Sequence, residues 1–257
     1  MNLDLLAWIA PMLSVVTFYL IERFYFKFKG QYKGRATAIL SIEVISILFS
    51  LALSLLLLAP IVYLVAPMQV FSFANLAVPI PVSFMLSFLF LDLVNYFNHQ
   101  LHHKIPLLWR FHRLHHSDRN MDSLTTLLHH PLELATTFFI TVGLAAIFDV
   151  PVIVLVCYGL TVGLHSAFTH MNVLLPEKTE KLIKFLLVTP NFHKTHHSTK
   201  LTEGNSNFGI LFIFWDYLFK TYCYKSNNAL KKMATGIDNK QTPQTFSVLS
   251  FLVNPFK

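Results

Sequence analysis

The chain has 257 residues, of which 54% are hydrophobic, 14% aromatic and only 13% charged, and its formal net charge is +7. With a mean hydropathy of +0.53, this composition excludes an ordinary soluble domain and is typical of an integral membrane protein. The basic residues show no interleaved pattern that would indicate a nucleic-acid surface, so we exclude nucleic acid as a partner.

Long apolar stretches occupy the first part of the chain. They cover residues 5–19, 36–65 and 82–91, and a membrane helix needs roughly 20 mostly apolar residues. These stretches predict two or three membrane spans ahead of the first histidine. The N-terminus lacks the basic region of a cleavable signal peptide, so we expect the first helix to be retained as an anchor.

A second apolar block covers residues 132–147 and 152–168 and is interrupted by Asp149 and Pro151. This interruption predicts a helical hairpin whose turn lies near the far membrane surface. Taken together, the apolar blocks predict an all-α, polytopic membrane protein with about four to five transmembrane or hairpin helices.

The basic residues predict the orientation in the membrane. All 20 Lys and Arg residues fall in residues 23–35, 104–119 and 178–257, and none lies in 36–103 or 120–177. Basic residues collect on the cytoplasmic side of membrane proteins, so these three regions share that side. The histidine-rich segments lie within or beside them, which predicts a histidine-rich helical cap on the cytoplasmic face of a bacterial inner membrane or an endoplasmic reticulum.

Three short histidine clusters indicate a metal centre. Histidines spaced i, i+4 or i, i+3, i+4 share one helical face, so each cluster presents two or three imidazoles to a common point. Imidazole binds Fe, Zn, Cu and Ni, and one ion rarely takes more than about six ligands, so eight rings indicate two ions. The predicted ligands are His99, His103, His112, His115, His116, His193, His196 and His197.

Residues near the clusters are further candidates. His170 follows the hairpin and is predicted to be a ninth ligand, and His130 is either a ligand or a residue that supports one. Asp92 lies about two helical turns before His99 and is a candidate to accept an N–H bond from that ligand. The alternative for Asp92 is a carboxylate facing water at a helix end. Asp216 is a candidate to orient an imidazole of the last cluster.

The remaining polar residues near the clusters are not predicted to belong to the main set of metal ligands. Glu203 is a candidate to bind or support the metal, and His102 lies to one side of the face that carries the first cluster. His129 and His165 are predicted to be structural. Glu43 lies within the second apolar stretch without an obvious partner, and its role is left open.

The succession of motifs resembles a known family. The segments DLVNYFNHQLHHKIPLLWRFHRLHHS, HHPLE, THMNV, VTPNFHKTHHS and SNFG with FWDYLFKTY follow one another within about residues 90–222. In this order they resemble the fatty acid hydroxylase/sterol desaturase superfamily of integral-membrane di-iron proteins. We therefore divide a single membrane-embedded domain, residues 1–257, into N-terminal membrane helices (1–89), the family's catalytic region (90–222) and a C-terminal tail (223–257).

The resemblance implies that the metal is iron. The eight histidines of the clusters match the family's iron ligands, and His170 matches a further histidine that precedes the last cluster. Gln100, Leu128, Asn205 and Lys220 depart from the residues common in the family at these positions, and none of these departures removes a ligand.

The metal pattern and the resemblance predict a di-iron oxygenase that hydroxylates or desaturates a C–H bond of a sterol, fatty-acyl or alkyl lipid with O2. The chain contains no G-x-G-x-x-G motif and no haem or Fe–S cysteine pattern, so we expect electrons from a separate reductase, cytochrome or ferredoxin. Zinc is expected as a substitute in purified protein.

Two alternatives remain open. The first is a membrane zinc hydrolase, since zinc also favours imidazole, although the chain has no H-E-x-x-H motif to supply a general base. The second is a non-enzymatic membrane protein that handles metal or haem. The number of histidines argues against the zinc hydrolase, because one catalytic zinc needs fewer than eight. Their position argues against haem binding, because the clusters lie at helix ends and not within the spans.

Overall fold

The structure is a computed structural model that describes residues 3–26, 34–237 and 247–256, with side chains described from residue 11 onwards. Within these residues the fold is helical, with only two isolated β-bridges, which confirms the predicted all-α class. The α-helices are α1 (Leu3–Phe24), α2 (Arg35–Val65), α3 (Ile80–Lys104), α4 (Pro106–His116), α5 (Pro131–Ile147), α6 (Val152–Thr169), α7 (Glu177–Ile183), α8 (Pro190–His196), α9 (Leu201–Gly204), α10 (Phe214–Leu218), α11 (Asn227–Lys232) and α12 (Val248–Val253). The 3-10 helices are Ala66–Met68, Ser123–Leu127 and Asn254–Phe256.

Among the described residues, three helical segments are long and apolar enough to cross a membrane, namely Arg35–Met68, Ile80–Lys104 and Val152–Thr169. The apolar helix α5 is shorter, with 17 residues. Large apolar side chains on α2, such as Leu55, which is 79% exposed, suit contact with lipid hydrocarbon. These segments confirm a polytopic membrane protein, while the number of spans and the side that carries the histidines stay predictions.

The predicted hairpin forms from α5 and α6. Its turn contains Asp149, which has a left-handed φ of 45° and accepts a hydrogen bond from the Ser72 hydroxyl. The backbone N–H groups of Phe73 and Ala74 donate to the carbonyls of Phe148 and Asp149, at 3.0 and 3.1 Å. The segment before α3 therefore holds the turn in place.

The helices pack in pairs around the histidine-bearing segments. Helix α1 contacts α6, α2 contacts α5, and α3 contacts α4. Gly163 permits the close approach of α1 to α6, because a Cβ atom at this position would lie 2.8 Å from Cβ of Pro11. The buried core includes Ile39 and Ile42 of α2 together with Phe251 of α12, so the last helix also packs against the body.

A buried ion cluster joins the start of α2 to the segment that follows α4. Arg35 donates from Nε to Asp118 at 3.1 Å and from Nη1 to Asp122 at 2.9 Å, and Nη2 also contacts both carboxylates. The Thr125 hydroxyl donates to Asp118 at 2.7 Å. Because both carboxylates are fully buried, the guanidinium group compensates charges that water does not reach. The cluster therefore fixes the chain just after the second histidine cluster.

Candidate metal centre

Nine histidines from separate segments meet between the helices. They come from the end of α3, from α4, from the residue that follows α6, and from α8 with the residue after it. Their ligand nitrogens form two groups, and within each group these atoms lie within 4.8 Å of one another. The first group is His99, His103, His112, His116 and His196. The second group is His115, His170, His193 and His197.

The nitrogen spacing in the first group suits a shared ion. Nε2 of His112 lies 3.1 Å from Nε2 of His103 and 3.1 Å from Nε2 of His116. Two nitrogens that are each about 2.1 Å from one ion lie about 3.0 Å apart at a right angle and about 3.4 Å apart at the tetrahedral angle. The observed distances match imidazoles that point at one centre.

The second group has the same spacing. Nε2 of His170 lies 3.1 Å from Nε2 of His115 and 2.9 Å from Nε2 of His193. Nε2 of His197 lies 3.2 Å from Nε2 of His193. The two groups therefore offer two separate positions for a metal ion, each surrounded by imidazole nitrogen.

Backbone carbonyls orient two rings of the first group. Nδ1 of His99 lies 2.9 Å from the carbonyl oxygen of Phe208, and Nδ1 of His196 lies 2.7 Å from that of Ser206. A carbonyl only accepts, so each Nδ1 carries the proton and donates it, which leaves Nε2 as the ligand atom. Nε2 of His196 is buried and has no hydrogen-bond partner among the described residues. Such an orphaned nitrogen fits a metal ligand.

Two further rings are oriented in the same way. Nδ1 of His112 lies 2.7 Å from Oε1 of Glu133, and Nδ1 of His170 lies 2.8 Å from the carbonyl oxygen of Ser166. Sequence reasoning did not assign Glu133 this role. The available signal was its position, because an acid in the first turn of an otherwise apolar helix needs a partner.

Burial keeps these imidazoles neutral. It lowers the pKa of His196 to about 3 and that of His170 to about 4, because a buried imidazolium loses its hydration. A metal ligand must be the neutral imidazole, so both rings are ready to bind at neutral pH. Five other histidines have a pKa well below the ordinary value, first because they are buried and second because protonated neighbouring rings would repel one another. They are His112, His115, His116, His193 and His197.

Asp92 differs from both of its predicted roles. It is fully buried and accepts hydrogen bonds from the Tyr158 hydroxyl at 3.0 Å and from Nε1 of Trp215 at 2.9 Å. The backbone N–H groups of Leu211 and Phe212 also donate to it, each at 3.3 Å. Asp92 therefore neither faces water nor accepts from a ligand imidazole. It attaches the segment before α10 to α3.

Asp216 acts on the centre through the backbone. It accepts hydrogen bonds from the N–H groups of Phe208 and Gly209, each at 2.8 Å, and from the Thr221 hydroxyl at 2.6 Å, rather than from an imidazole of the last cluster. The carbonyl of Phe208 in turn accepts from His99. Burial raises the pKa of Asp216 to about 6.

Glu203 and His130 lie outside the two histidine groups. Glu203 accepts a hydrogen bond from the Ser198 hydroxyl at 2.7 Å and pairs with Lys225. His130 caps the start of α5, where its Nδ1 accepts from the Leu132 N–H at 3.2 Å. Both residues therefore stabilise chain segments near the centre, and neither is placed as a ligand.

Two other histidines lie beside the centre. His102 has both ring nitrogens engaged, with the Asn98 carbonyl at 2.9 Å and the Thr136 hydroxyl at 3.2 Å, which agrees with its predicted position to one side. His129 stacks on His115 at a centroid distance of 4.7 Å. His129 lies outside both groups, and its structural role stays a prediction.

A cavity of about 310 Å³ lies against both histidine groups. This cavity lies between the helices, and ligand histidines form part of its wall. Its histidine lining includes members of both groups, namely His99, His112, His115, His170 and His193, together with His102 and His129. Its apolar lining includes Pro11, Met12, Val15, Leu134, Val162 and Ile210.

Apolar helices that enclose two groups of imidazoles define a class, the helical membrane proteins with a histidine-rich metal centre. The fatty acid hydroxylase family matches residues 84–221, which is more than half of the chain. The chain belongs to the fatty acid hydroxylase family. This confirms the resemblance drawn from the histidine motifs.

Curated relatives share part of the chain. Ornithine lipid hydroxylase OlsE of Rhizobium tropici is 33% identical over 129 residues, which are 49% of this chain and 38% of that protein. Alkylglycerol monooxygenase of Homo sapiens is 26% identical over 197 residues, 76% of this chain and 42% of that protein. Cholesterol 25-hydroxylase of Rattus norvegicus is 32% identical over 126 residues, which are 48% of this chain and 41% of that protein. The chain thus spans about two fifths of the length of these relatives. No solved structure matches it.

Proposed function

We propose that this chain is a membrane-bound, O2-dependent oxidoreductase that hydroxylates or desaturates a lipid, and that its two histidine groups hold two iron ions. The observation that carries the proposal is the meeting of nine imidazoles in two groups beside one internal cavity. The relatives named as hydroxylases or a monooxygenase act on an ornithine lipid, an alkylglycerol and cholesterol, and these names support lipid as the substrate class. No observation favours the zinc hydrolase or the metal-handling alternative.

The residues fit iron in their chemistry as well as their spacing. Imidazole is a good ligand for iron, and the Nδ1 bonds of His99, His112 and His196 fix the tautomer that leaves Nε2 free. Iron bound there would supply the O2-dependent oxidation of an unactivated C–H bond. The protein's own part is to orient the rings, to keep them neutral and to hold the lipid in the cavity beside them.

We propose that the centre lies on the cytoplasmic side of the membrane. The basic residues at 104–119 and from 178 onwards flank the histidine-bearing segments, and such residues collect on that side. A substrate would enter the cavity from the leaflet, and a separate electron donor would reach the centre from the cytoplasm. Zinc would occupy the same imidazoles in overexpressed protein, because it binds them more tightly than ferrous iron.

The proposal is tested by metal and lipid analysis together. We expect about two transition-metal ions per chain by mass spectrometry, counting iron and zinc together, because the two groups each surround one position. Lipid extracts from cells that express the chain should contain species that differ from the control by one oxygen or two hydrogens.

Two histidine variants complete this test. His196→Ala should lose metal and the lipid product, because it removes a ring of the first group whose Nε2 has no other partner. His165→Ala is the matched control, since His165 lies outside both groups, and it should keep metal and product. Wild-type protein without bound transition metal, or a His196→Ala protein with full activity, would reject the proposal.

A further inference from the structure

Glu43 is an acid without a structural explanation in an otherwise apolar segment. It is the only acidic residue of α2, the longest apolar helix among the described residues. An acid in such a segment is costly in lipid unless it faces a partner or a cavity. The Ser46 hydroxyl, one turn further on, donates to the carbonyl of His129 at 3.1 Å and holds α2 against the segment that leads into α5. Glu43 accordingly lines the internal cavity beside the histidines.

The cavity wall contains more acceptors than the protein satisfies. Oε2 of Glu43 and Oε2 of Glu133 are buried and have no hydrogen-bond partner in the described part of the chain, and the same holds for Oδ1 of Asn98. All three residues line the cavity, as do His115 and His193, whose Nδ1 atoms likewise have no partner among the described residues. The other oxygen of Glu133 already accepts from His112, so the unpartnered one is available to a ligand. A buried acceptor without a donor costs free energy, and a bound donor would remove that cost.

We propose that this cavity binds the polar end of the lipid substrate through a hydrogen-bond donor, a hydroxyl or an ammonium group, held by Glu43 and Glu133. This inference rests on the proposed lipid oxidation and specifies its substrate class. A donor placed between the two unpartnered carboxyl oxygens satisfies both of them, whereas a phosphate or carboxylate would bring further acceptors into the same space. The part of the cavity lined by Glu43 and Glu133 therefore favours donors over anionic groups.

Because the cavity is small and lies beside the histidines, a donor bound in it would lie close to the carbon atom that is oxidised. About 310 Å³ is at the lower end of the range of about 300–1,000 Å³ for ligand pockets. The same cavity is lined by histidines of both groups and by apolar residues such as Met12 and Val15. A lipid bound by its hydroxyl or ammonium group would present the carbon atoms next to that group to the histidines.

The test measures binding without turnover. The full chain is loaded with iron, placed in nanodiscs and kept free of O2, and tritiated 1-hexadecanol is displaced by hexadecylamine, hexadecyl methyl ether or hexadecyl phosphate. We expect the alcohol and the amine to bind roughly tenfold or more tightly than the ether, which donates no hydrogen bond, and the phosphate to bind most weakly. An ether that binds as tightly as the alcohol, or no binding of any of the four, would overturn the inference.

Two variants of Glu43 and one control assign the effect. Glu43→Leu should weaken binding of the alcohol roughly tenfold, to the level of the ether, without changing the ether. Glu43→Gln keeps the shape and a neutral acceptor, so it should weaken the amine more than the alcohol. Val44→Leu, at a neighbouring position that is 55% exposed, should change none of these affinities. Variants of Glu43 that keep the wild-type preference would show that Glu43 does not bind the donor.

Metal content in the same samples separates this inference from the proposed function. Protein without bound metal contradicts the proposed function. Protein that binds iron and oxidises lipid, yet does not distinguish the alcohol from the ether, contradicts only the assignment of the donor site.

Discussion

Arg35 provides the sharpest test of how the N-terminal helices support the histidine centre. Its guanidinium group is the buried partner of Asp118 and Asp122, and the three side chains are 3%, 0% and 0% exposed. Arg35→Met keeps much of the side-chain volume but leaves two carboxylates buried without a positive charge. Breaking a buried ion pair in this way costs about 3–5 kcal/mol in free energy of unfolding.

The assay compares thermal unfolding and metal content of the wild type, Arg35→Met and a triple variant in the same detergent. The triple variant Arg35→Met, Asp118→Asn, Asp122→Asn removes the buried charges altogether and should recover part of the lost stability. Arg110→Met is the control, because Arg110 is an exposed arginine of α4. It should change the free energy of unfolding by no more than about 0.5 kcal/mol.

Two results would refute this reasoning. One is an Arg35→Met protein whose stability lies within about 1 kcal/mol of the wild type, since a compensated buried ion cluster predicts several times that loss. The other is a triple variant that is less stable than Arg35→Met, because the uncompensated carboxylates would then not be the cause of the loss.

Two further predictions concern helix packing and pH. Gly163→Ala should destabilise the protein by about 1–3 kcal/mol, because the added Cβ would lie 2.8 Å from Cβ of Pro11. Thermal unfolding measures this loss. Gly159→Ala is the control and should leave the stability unchanged, because its Cβ would meet nothing within 4 Å. Bound metal should persist on acidification to about pH 5, because burial lowers the pKa of His170 to about 4 and that of His196 to about 3, so protons compete for these nitrogens only at lower pH. Metal analysis after dialysis at a series of pH values measures this, and release near pH 6.5, the ordinary imidazole value, would contradict it.

The sequence by itself determined the features that depend on neighbouring residues. Long apolar stretches predict helices because the hydrocarbon core of a membrane requires both length and internally bonded backbone. The spacing of His99 and His103 predicts a shared helical face, and their rings lie 5.2 Å apart. Asp149 and Pro151 predicted the break between α5 and α6, because turn preferences also depend on neighbouring residues.

The tertiary structure decided which residues act together across the chain. His115 and His116 are adjacent, yet they belong to different groups, because successive residues point about 100° apart around a helix. The carbonyl that orients His99 comes from Phe208, which is 109 positions away. Glu43 and Glu133 line one cavity although 90 positions separate them. Helical periodicity places a side chain on a face, whereas its partner across the cavity depends on how the helices pack, and no local pattern encodes that packing.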